Sequence, residues 1–499
     1  MKSDVSESIA RNFSIMFVAQ MINWVASFVL LMFLPRYLGS EDYGRLYLAL
    51  SIKMMLGLLI DFGGSFLIPK EVARSEKNGS KILSSYIILR IFLWILSIGV
   101  IMLLSNLLGY SEHVYLLILI LAIGKLWEGG SGAIKSYFQG IERTEYPSIG
   151  RVVERLFVAG FSVLALLLGA DSIEIAIIIT VGAFINLLII IWFSRDFVSM
   201  KYRFDSKVFK LLGSGLPYFL FSLFSVIYYR VDAMMLASMT STQVTGWYGG
   251  AYRFFDAIMI LPIIYKSAIF PIFSKLWDDK DGVLELTIGK SLKLMLILAV
   301  PVAIAIFLFS ENIINFFMGL EEYGPSVAVL QIFAISIPVI YVDFILGSAI
   351  MGAANLQKSW AVVGLVAIFL NIGANYFMIP YTQALYANGG IGAAVATFIT
   401  EIFIMLSAVF LLPKSYFQRF KASYVFKPLS AGIAMAAFCW LMLSSGLYWI
   451  ISVILGVGVY LAALVAVKAF NSKEIEMVKS SVSFSQIKKS MFSSNNINA

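Results

Sequence analysis

Fourteen apolar blocks of about twenty residues each constrain this chain of 499 residues more than any motif does. Each is long enough to cross about 30 Å of hydrocarbon as a helix. Only helices and closed barrels satisfy every backbone hydrogen bond there. A barrel would show alternating segments of about ten residues, and the sequence has none. The blocks lie at about 13–34, 46–69, 82–108, 114–134, 147–169, 173–193, 208–237, 250–273, 288–309, 326–350, 359–379, 390–412, 426–445 and 447–468. The expected class is an all-α polytopic membrane protein. Composition agrees: 60% of residues are hydrophobic and 13% charged, against about 45–50% and 25% in soluble chains.

A formal net charge of +8 would suggest nucleic acid in a soluble domain. Here the positive charge has another origin. Only Arg36 and Arg45 fall in the odd connections between blocks. The even connections hold Lys70, Arg74, Lys77 and Lys81, then Arg195, Lys201, Arg203, Lys207 and Lys210, with further clusters at 275–290 and 414–427. The positive-inside bias therefore places both termini in the cytoplasm and removes the case for nucleic acid. One cysteine, Cys439, and one histidine, His113, exclude intrachain disulfides and multi-His or thiolate metal clusters. The start, MKSDVSESIARNF, lacks a small-residue cleavage site and reads as no removable signal. The tail from 471 is rich in Ser, Asn and Lys and is expected to be a cytoplasmic extension. No loop is long enough for a soluble catalytic domain. No Walker A, dinucleotide or HExxH signature occurs either, so no enzyme activity, cofactor or ATP-driven step is expected.

The two halves repeat. Gly44 closes LGSEDYG after block one and Gly246 closes STQVTG after block seven, an offset of 202. Each glycine opens an apolar stretch that ends in a charged turn, KEVARSEKNGSK or SKLWDDKDG. Gly140 and Gly352 recur in matching positions after blocks four and ten. Both units start on the same side, so the repeat is parallel. It predicts a six-helix bundle over 1–206, a second over 207–412, two added helices over 413–470 and a tail over 471–499. Transporters place substrate between such halves.

Charges inside transmembrane helices are costly and usually face a wet cavity or a partner. Lys53, Arg90, Lys125, Arg230, Arg253 and Lys266 are the candidate cavity cations, and blocks nine to fourteen offer none. Lys125–Glu128 and Arg253–Asp256 are spaced i, i+3 and could pair. Lys53, Arg90 and Lys266 have no partner within one turn. Arg230 and Asp232, at i, i+2, point to different sides of block seven. A cationic cavity suits an anionic substrate such as a diphosphate or acidic sugar. Asp61, Asp256, Asp343 and Glu401 could take a coupling proton or sodium ion. Arg151, Glu154 and Arg155, with Arg143 just before, cluster at the cytoplasmic end of block five, where the arginines suit a lipid-phosphate entrance. Tyr228, Tyr229, Tyr252 and Phe255 could stack on sugars, although interfacial belts explain most aromatics here.

Residues 12–50, NFSIMFVAQMINWVASFVLLMFLPRYLGSEDYGRLYLAL, resemble the opening of Wzx-type polysaccharide-biosynthesis flippases. Residues 215–262, GLPYFLFSLFSVIYYRVDAMMLASMTSTQVTGWYGGAYRFFDAIMILP, are similar to the segment that begins their second half. The most specific pieces are LGSEDYG, Asp232 and VTGWYGGAYR with Arg253. The superfamily also includes multidrug-extrusion (MATE) transporters and lipid II flippases. The resemblance implies a V-shaped pair of bundles that rocks between inward-open and outward-open states. It implies translocation of polyprenyl-diphosphate-linked oligosaccharide across the cytoplasmic membrane, driven by an ion gradient, for O-antigen, capsule or exopolysaccharide. Membrane lipids, a polysaccharide polymerase and glycosyltransferases are the implied partners. A MATE-type cation antiporter and a lipid II flippase are the alternatives. A membrane glycosyltransferase, from another class, would need acidic residues in a large outer loop.

Overall fold

The computed structural model describes residues 2–74, 76–198, 208–276, 282–350, 354, 356–417 and 420–470. Lys201, Arg203 and Lys207, Lys280, Gly352, Arg419 and the tail from 471 lie outside the described residues. Every regular element among those described is helical. The first half holds α1 (Lys2–Asp61), α2 (Gly64–Arg74), α3 (Glu76–Leu107), α4 (Glu112–Gly140), α5 (Glu145–Leu167) and α6 (Ser172–Ser194). The second holds α7 (Val208–Met239), α8 (Thr242–Ile258), α9 (Ile260–Leu276), α10 (Val283–Phe317) and the short α11 (Leu320–Tyr323). It continues with α12 (Ser326–Asp343), a π-helical stretch (Phe344–Ile350), α13 (Gln357–Tyr386) and α14 (Gly389–Leu411). Two further helices, α15 (Ser423–Ser444) and α16 (Trp449–Ala466), complete the described chain.

Eleven helical stretches among the described residues are long and apolar enough to cross a membrane. The longest, Val18–Arg74, contains a break and makes two crossings, and α5 and α7 supply the remaining apolar blocks. The protein is a multi-pass helical membrane protein.

That break is local. LGSEDYG is not an open turn: α1 passes through it with one non-helical residue, Gly39, at φ 72° and ψ 171°. A residue with a Cβ is strained at that φ, so glycine places the bend. The matching corner of the second half is sharper. Ser241 caps α8, its hydroxyl accepting from the Val244 amide at 3.2 Å, as expected of Ser at an N-cap.

The repeat is visible as a reciprocal contact. A Cβ added to Gly44 would stand 1.8 Å from the carbonyl oxygen of Thr242, and one added to Gly246 would stand 1.9 Å from that of Ser40. Ser40 and Thr242 are separated by the same offset as the two glycines. The two halves therefore cross backbone against backbone, as small residues permit between membrane helices.

Packing explains the V. At the crossing end one apolar cluster joins both halves, from Tyr43, Leu46 and Tyr47 of α1 to Tyr248, Tyr252 and Phe333 of α8 and α12. Two other clusters stay within one half each. One gathers Leu67, Tyr86, Ile134 and Phe138; the other gathers Phe273, Ile288, Met295 and Tyr341. A fourth cluster docks α15 and α16 on α10 through Met435, Cys439 and Tyr460, whose hydroxyl donates to the Ile297 carbonyl at 3.0 Å.

Candidate functional site

A cavity of about 520 Å³ lies inside the first half, among α1 to α6. It is lined by residues toward the end of α4 and the start of α5, opposite the Gly44–Gly246 crossing. The local sequence builds it. Lys125, Glu128, Gly132, Lys135 and Gln139 recur every three or four residues on α4, and all five line the wall, as one helix face requires. Pro147, Arg151 and Arg155 do the same on α5, with Glu154 beside the last.

The charges fall into two groups. Nearer the crossing, each carboxylate has a cation. Glu128 takes Lys53 at 2.5 Å and Lys125 at 2.7 Å. Asp61 pairs with Arg90, which also donates to the Gly129 carbonyl at 2.7 Å. Glycines make the room: a Cβ on Gly57 would stand 2.4 Å from Lys125 Cε, and one on Gly64 would stand 3.0 Å from the Arg90 guanidinium. Toward the far end, Lys135, Arg151 and Arg155 face the cavity, with no ion pair to any of them among the described residues. Glu154, the acid nearby, accepts from the Asn186 amide at 2.8 Å. Five cations and three carboxylates line the wall, so positive charge is in surplus.

This revises several sequence expectations. Lys53 and Arg90 do have partners, supplied by other helices and thus out of reach of a one-turn search. Asp61 is committed to Arg90 and to the Ser65 hydroxyl, at 2.7 Å. Arg143 does not line the cavity; it lies 3.4 Å from Glu145 and over the Phe197 ring. Arg151 and Arg155, read as an entrance, share one wall with Lys125 and Arg90. Lys135 and Asn186 were missed, although the α4 stripe carries the first.

The cations of the second half lie elsewhere. Arg230 reaches the Tyr47 hydroxyl at 3.3 Å and Asp256 at 3.4 Å, and stands over Tyr252. Arg253 bonds Tyr43. The expected i, i+3 pairing of Arg253 with Asp256 is not formed among the described residues, and Asp256 meets Arg230 instead. Lys266 stands 5.4 Å above the Phe344 ring. Contrary to the sequence reading, α10 does bury a cation: Lys293 is 7% exposed and packs against Tyr424 and Phe470.

Asp232 points the other way from Arg230, as its spacing required. Its carboxylate accepts from Asn375 at 2.6 Å, Tyr248 at 2.8 Å and Thr397 at 2.9 Å. Four helices, α7, α8, α13 and α14, meet at that one side chain. Tyr252 and Phe255 are each 2% exposed and packed around Phe333, so in this conformation they present no face to a sugar. Deeper in the second half, Tyr228 donates to Glu401 at 2.6 Å, and Glu401 and Asp343 are both buried. Among the described residues no cluster of His, Cys, Asp and Glu could hold a metal ion.

Residues 9–277 match the polysaccharide biosynthesis protein family. The chain belongs to that family. Residues 217–377 also match the MatE family. One relative is the probable low-salt glycan biosynthesis flippase Agl15 of Haloferax volcanii. It is 24% identical over 396 residues, which cover 78% of this chain and 80% of that protein. Among solved structures, the lipid II flippase MurJ in an inward closed conformation superposes with a TM-score of 0.73 at 18% identity. That match covers 92% of this chain and 99% of the other. An inward-facing multidrug resistance MATE transporter gives 0.66 at 15% identity, over 79% and 97%. Identities this low carry the fold. In this polysaccharide biosynthesis protein the V-shaped pair of bundles accordingly agrees with what the resemblance implied.

Proposed function

We propose that this protein is a flippase that moves polyprenyl-diphosphate-linked oligosaccharide across the cytoplasmic membrane for surface-polysaccharide assembly. The observation that carries the reading is the group of Lys135, Arg151 and Arg155 on one cavity wall, three cations beside the single carboxylate Glu154 and without an ion pair among the described residues. A diphosphate brings the negative charge this wall lacks, and charge-assisted contacts to phosphate are the strong kind. The lipid tail stays in the bilayer while the headgroup and sugars pass the cavity. Membership of a polysaccharide biosynthesis family, and the flippase named among the relatives, support the glycan.

The same geometry supports alternating access. The crossing closes one end while the cavity lies toward the other. Positive-inside charge makes the closed end the outer one and puts both termini in the cytoplasm. O-antigen, capsule or exopolysaccharide is the product class, with a polymerase and glycosyltransferases as partners. An ion gradient supplies the drive, through a proton or a sodium ion. A cation exporter would need a cavity rich in uncommitted carboxylates, whereas Asp61 and Glu128 are held by Arg90, Lys53 and Lys125, and Glu154, which accepts from Asn186, stands among a surplus of cations.

The test is translocation in proteoliposomes, read as lectin access to a short-chain polyprenyl-diphosphate oligosaccharide. Substituting Lys135, Arg151 and Arg155 together by alanine is expected to abolish it while leaving the purified protein monodisperse. Translocation at the wild-type rate by that triple variant would remove the reading.

A further inference from the structure

A smaller cavity, of about 90 Å³, adjoins the anion cavity and shares Lys135, Gln139, Pro147 and Arg151 with it. Its opposite wall is the cytoplasmic part of α1, through Ala19, Gln20 and Asn23. Thr144 and Ser148, where the chain enters α5, close it. Asn23 follows Gln20 by three residues and Ala19 by four, so one face of α1 presents all three. That face is uncharged, whereas the wall it meets carries Lys135 and Arg151.

One atom of this side pocket has no partner. Asn23 is 7% exposed, and its side-chain amide oxygen accepts no hydrogen bond among the described residues. Buried acceptors are nearly always paired in native proteins, so an orphan calls for a reason. Its neighbours do not supply the donor. The Ser148 hydroxyl is spent on the Thr144 carbonyl, at 2.8 Å. Lys135, Gln139 and Arg151 line the same space without reaching the Asn23 oxygen. Ala19 and Pro147, both buried, add an apolar patch to the lining.

We propose that the side pocket is a subsite for the acetamido group of the sugar that carries the diphosphate. The inference rests on the flippase reading and deepens it by naming the class of the first sugar. An acetamido group brings an N–H for the Asn23 oxygen, a carbonyl for the Gln20 or Gln139 amide, and a methyl for Ala19 and Pro147. Offering both a donor and an acceptor, it also complements the Asn23 amide with oxygen and nitrogen exchanged. A carboxylate only accepts and would set oxygen against oxygen. A hydroxyl supplies the donor but leaves the apolar patch uncovered. Position agrees with chemistry. In a 2-acetamido sugar the substituted carbon is bonded to the one that bears the diphosphate, and the pocket shares Lys135 and Arg151 with the diphosphate's wall. At about 90 Å³ against about 520 Å³, it takes a substituent while the sugar rings stay in the main cavity.

Equilibrium binding to the full-length protein in lipid nanodiscs tests this, with short-chain prenyl diphosphates bearing N-acetylglucosamine, glucose or no sugar. The wild type is expected to bind the acetamido ligand about tenfold more tightly than the glucose one, the order of one neutral hydrogen bond and one buried methyl. Asn23→Leu, which keeps the size of the side chain and removes its amide, should bring that ratio close to one. Ala19→Leu, which fills the pocket from its apolar side, should do the same. A variant that merely loosened the fold would weaken both ligands alike and keep the ratio. Equal affinity of the wild type for the two sugars, or a preference for glucose, would overturn the proposal. So would a preference that survives in Asn23→Leu; if that variant does not fold, Ala19→Leu decides by the same criterion. Failure of the wild type to bind any of the three ligands would remove the flippase reading and the subsite with it, whereas equal binding of the two sugars removes the subsite alone.

Discussion

Glu128 shows what single side chains do here. It holds Lys53 and Lys125 at once, and Lys53 is 8% exposed. Removing one partner of a buried pair strands the other charge, at a cost of roughly 3 kcal/mol or more. Glu128→Ala should therefore shorten the half-life of the purified protein at a fixed elevated temperature, read by size-exclusion chromatography. Arg151 differs, since it has no carboxylate partner to strand. Arg151→Ala should leave that half-life unchanged and weaken capture of a diphosphate headgroup by about tenfold or more, the worth of a hydrogen bond to a charged group. Equilibrium binding of a soluble polyprenyl-diphosphate analogue measures this.

Among the elements, the junction of α1, α8 and α11 controls one end. Glu322 of α11 accepts from both the amide and the hydroxyl of Ser40, at 2.9 and 2.5 Å, just past the bend at Gly39. These bonds, the hydroxyl's first, hold the Glu322 carboxyl below its usual range. A group whose value is lowered by folding stabilises while ionised. Its contribution is complete above the ordinary carboxylate range and is lost as pH falls through the lowered value. The latch should thus weaken on acidification, and Glu322→Gln should remove that pH dependence. A thiol at buried Ala251, in a Cys439→Ser background, reports it as a rise in labelling rate. The same thiol reads the crossing. Gly44→Ala or Gly246→Ala forces the backbones apart, and overpacking costs about 1–3 kcal/mol. Labelling should rise by roughly 5–150-fold, the factor such an energy carries.

Over the whole molecule, the fold was legible because hydrocarbon leaves a chain so few options. Fourteen blocks, their charge asymmetry and a repeat offset of 202 were enough to sketch two bundles and two added helices. An expected consequence is that fluorescent-protein fusions after Ala499 fluoresce in the cytoplasm, whereas fusions in the 109–113 connection are dark. The site was legible only in part. Intrahelical pairs such as Lys125–Glu128 follow from spacing, but Lys53 meets Glu128, and Arg90 meets Asp61, between helices that no periodicity relates. Asp232 gave its presence away, yet two of its three donors come from residues 143 and 165 positions later. Neutral Asn and Thr in apolar helices carry no signal of their own until packing brings them to a charge.

The reciprocal crossing has a thermodynamic consequence. Ser40 against Gly246 and Thr242 against Gly44 share one gap, so the first methyl group that opens it also makes room for the second. The double substitution should then cost about as much as either single one. A double-mutant cycle should return a coupling energy that cancels nearly one whole substitution, where independent sites would simply add. Two positions 202 residues apart would thereby behave as one.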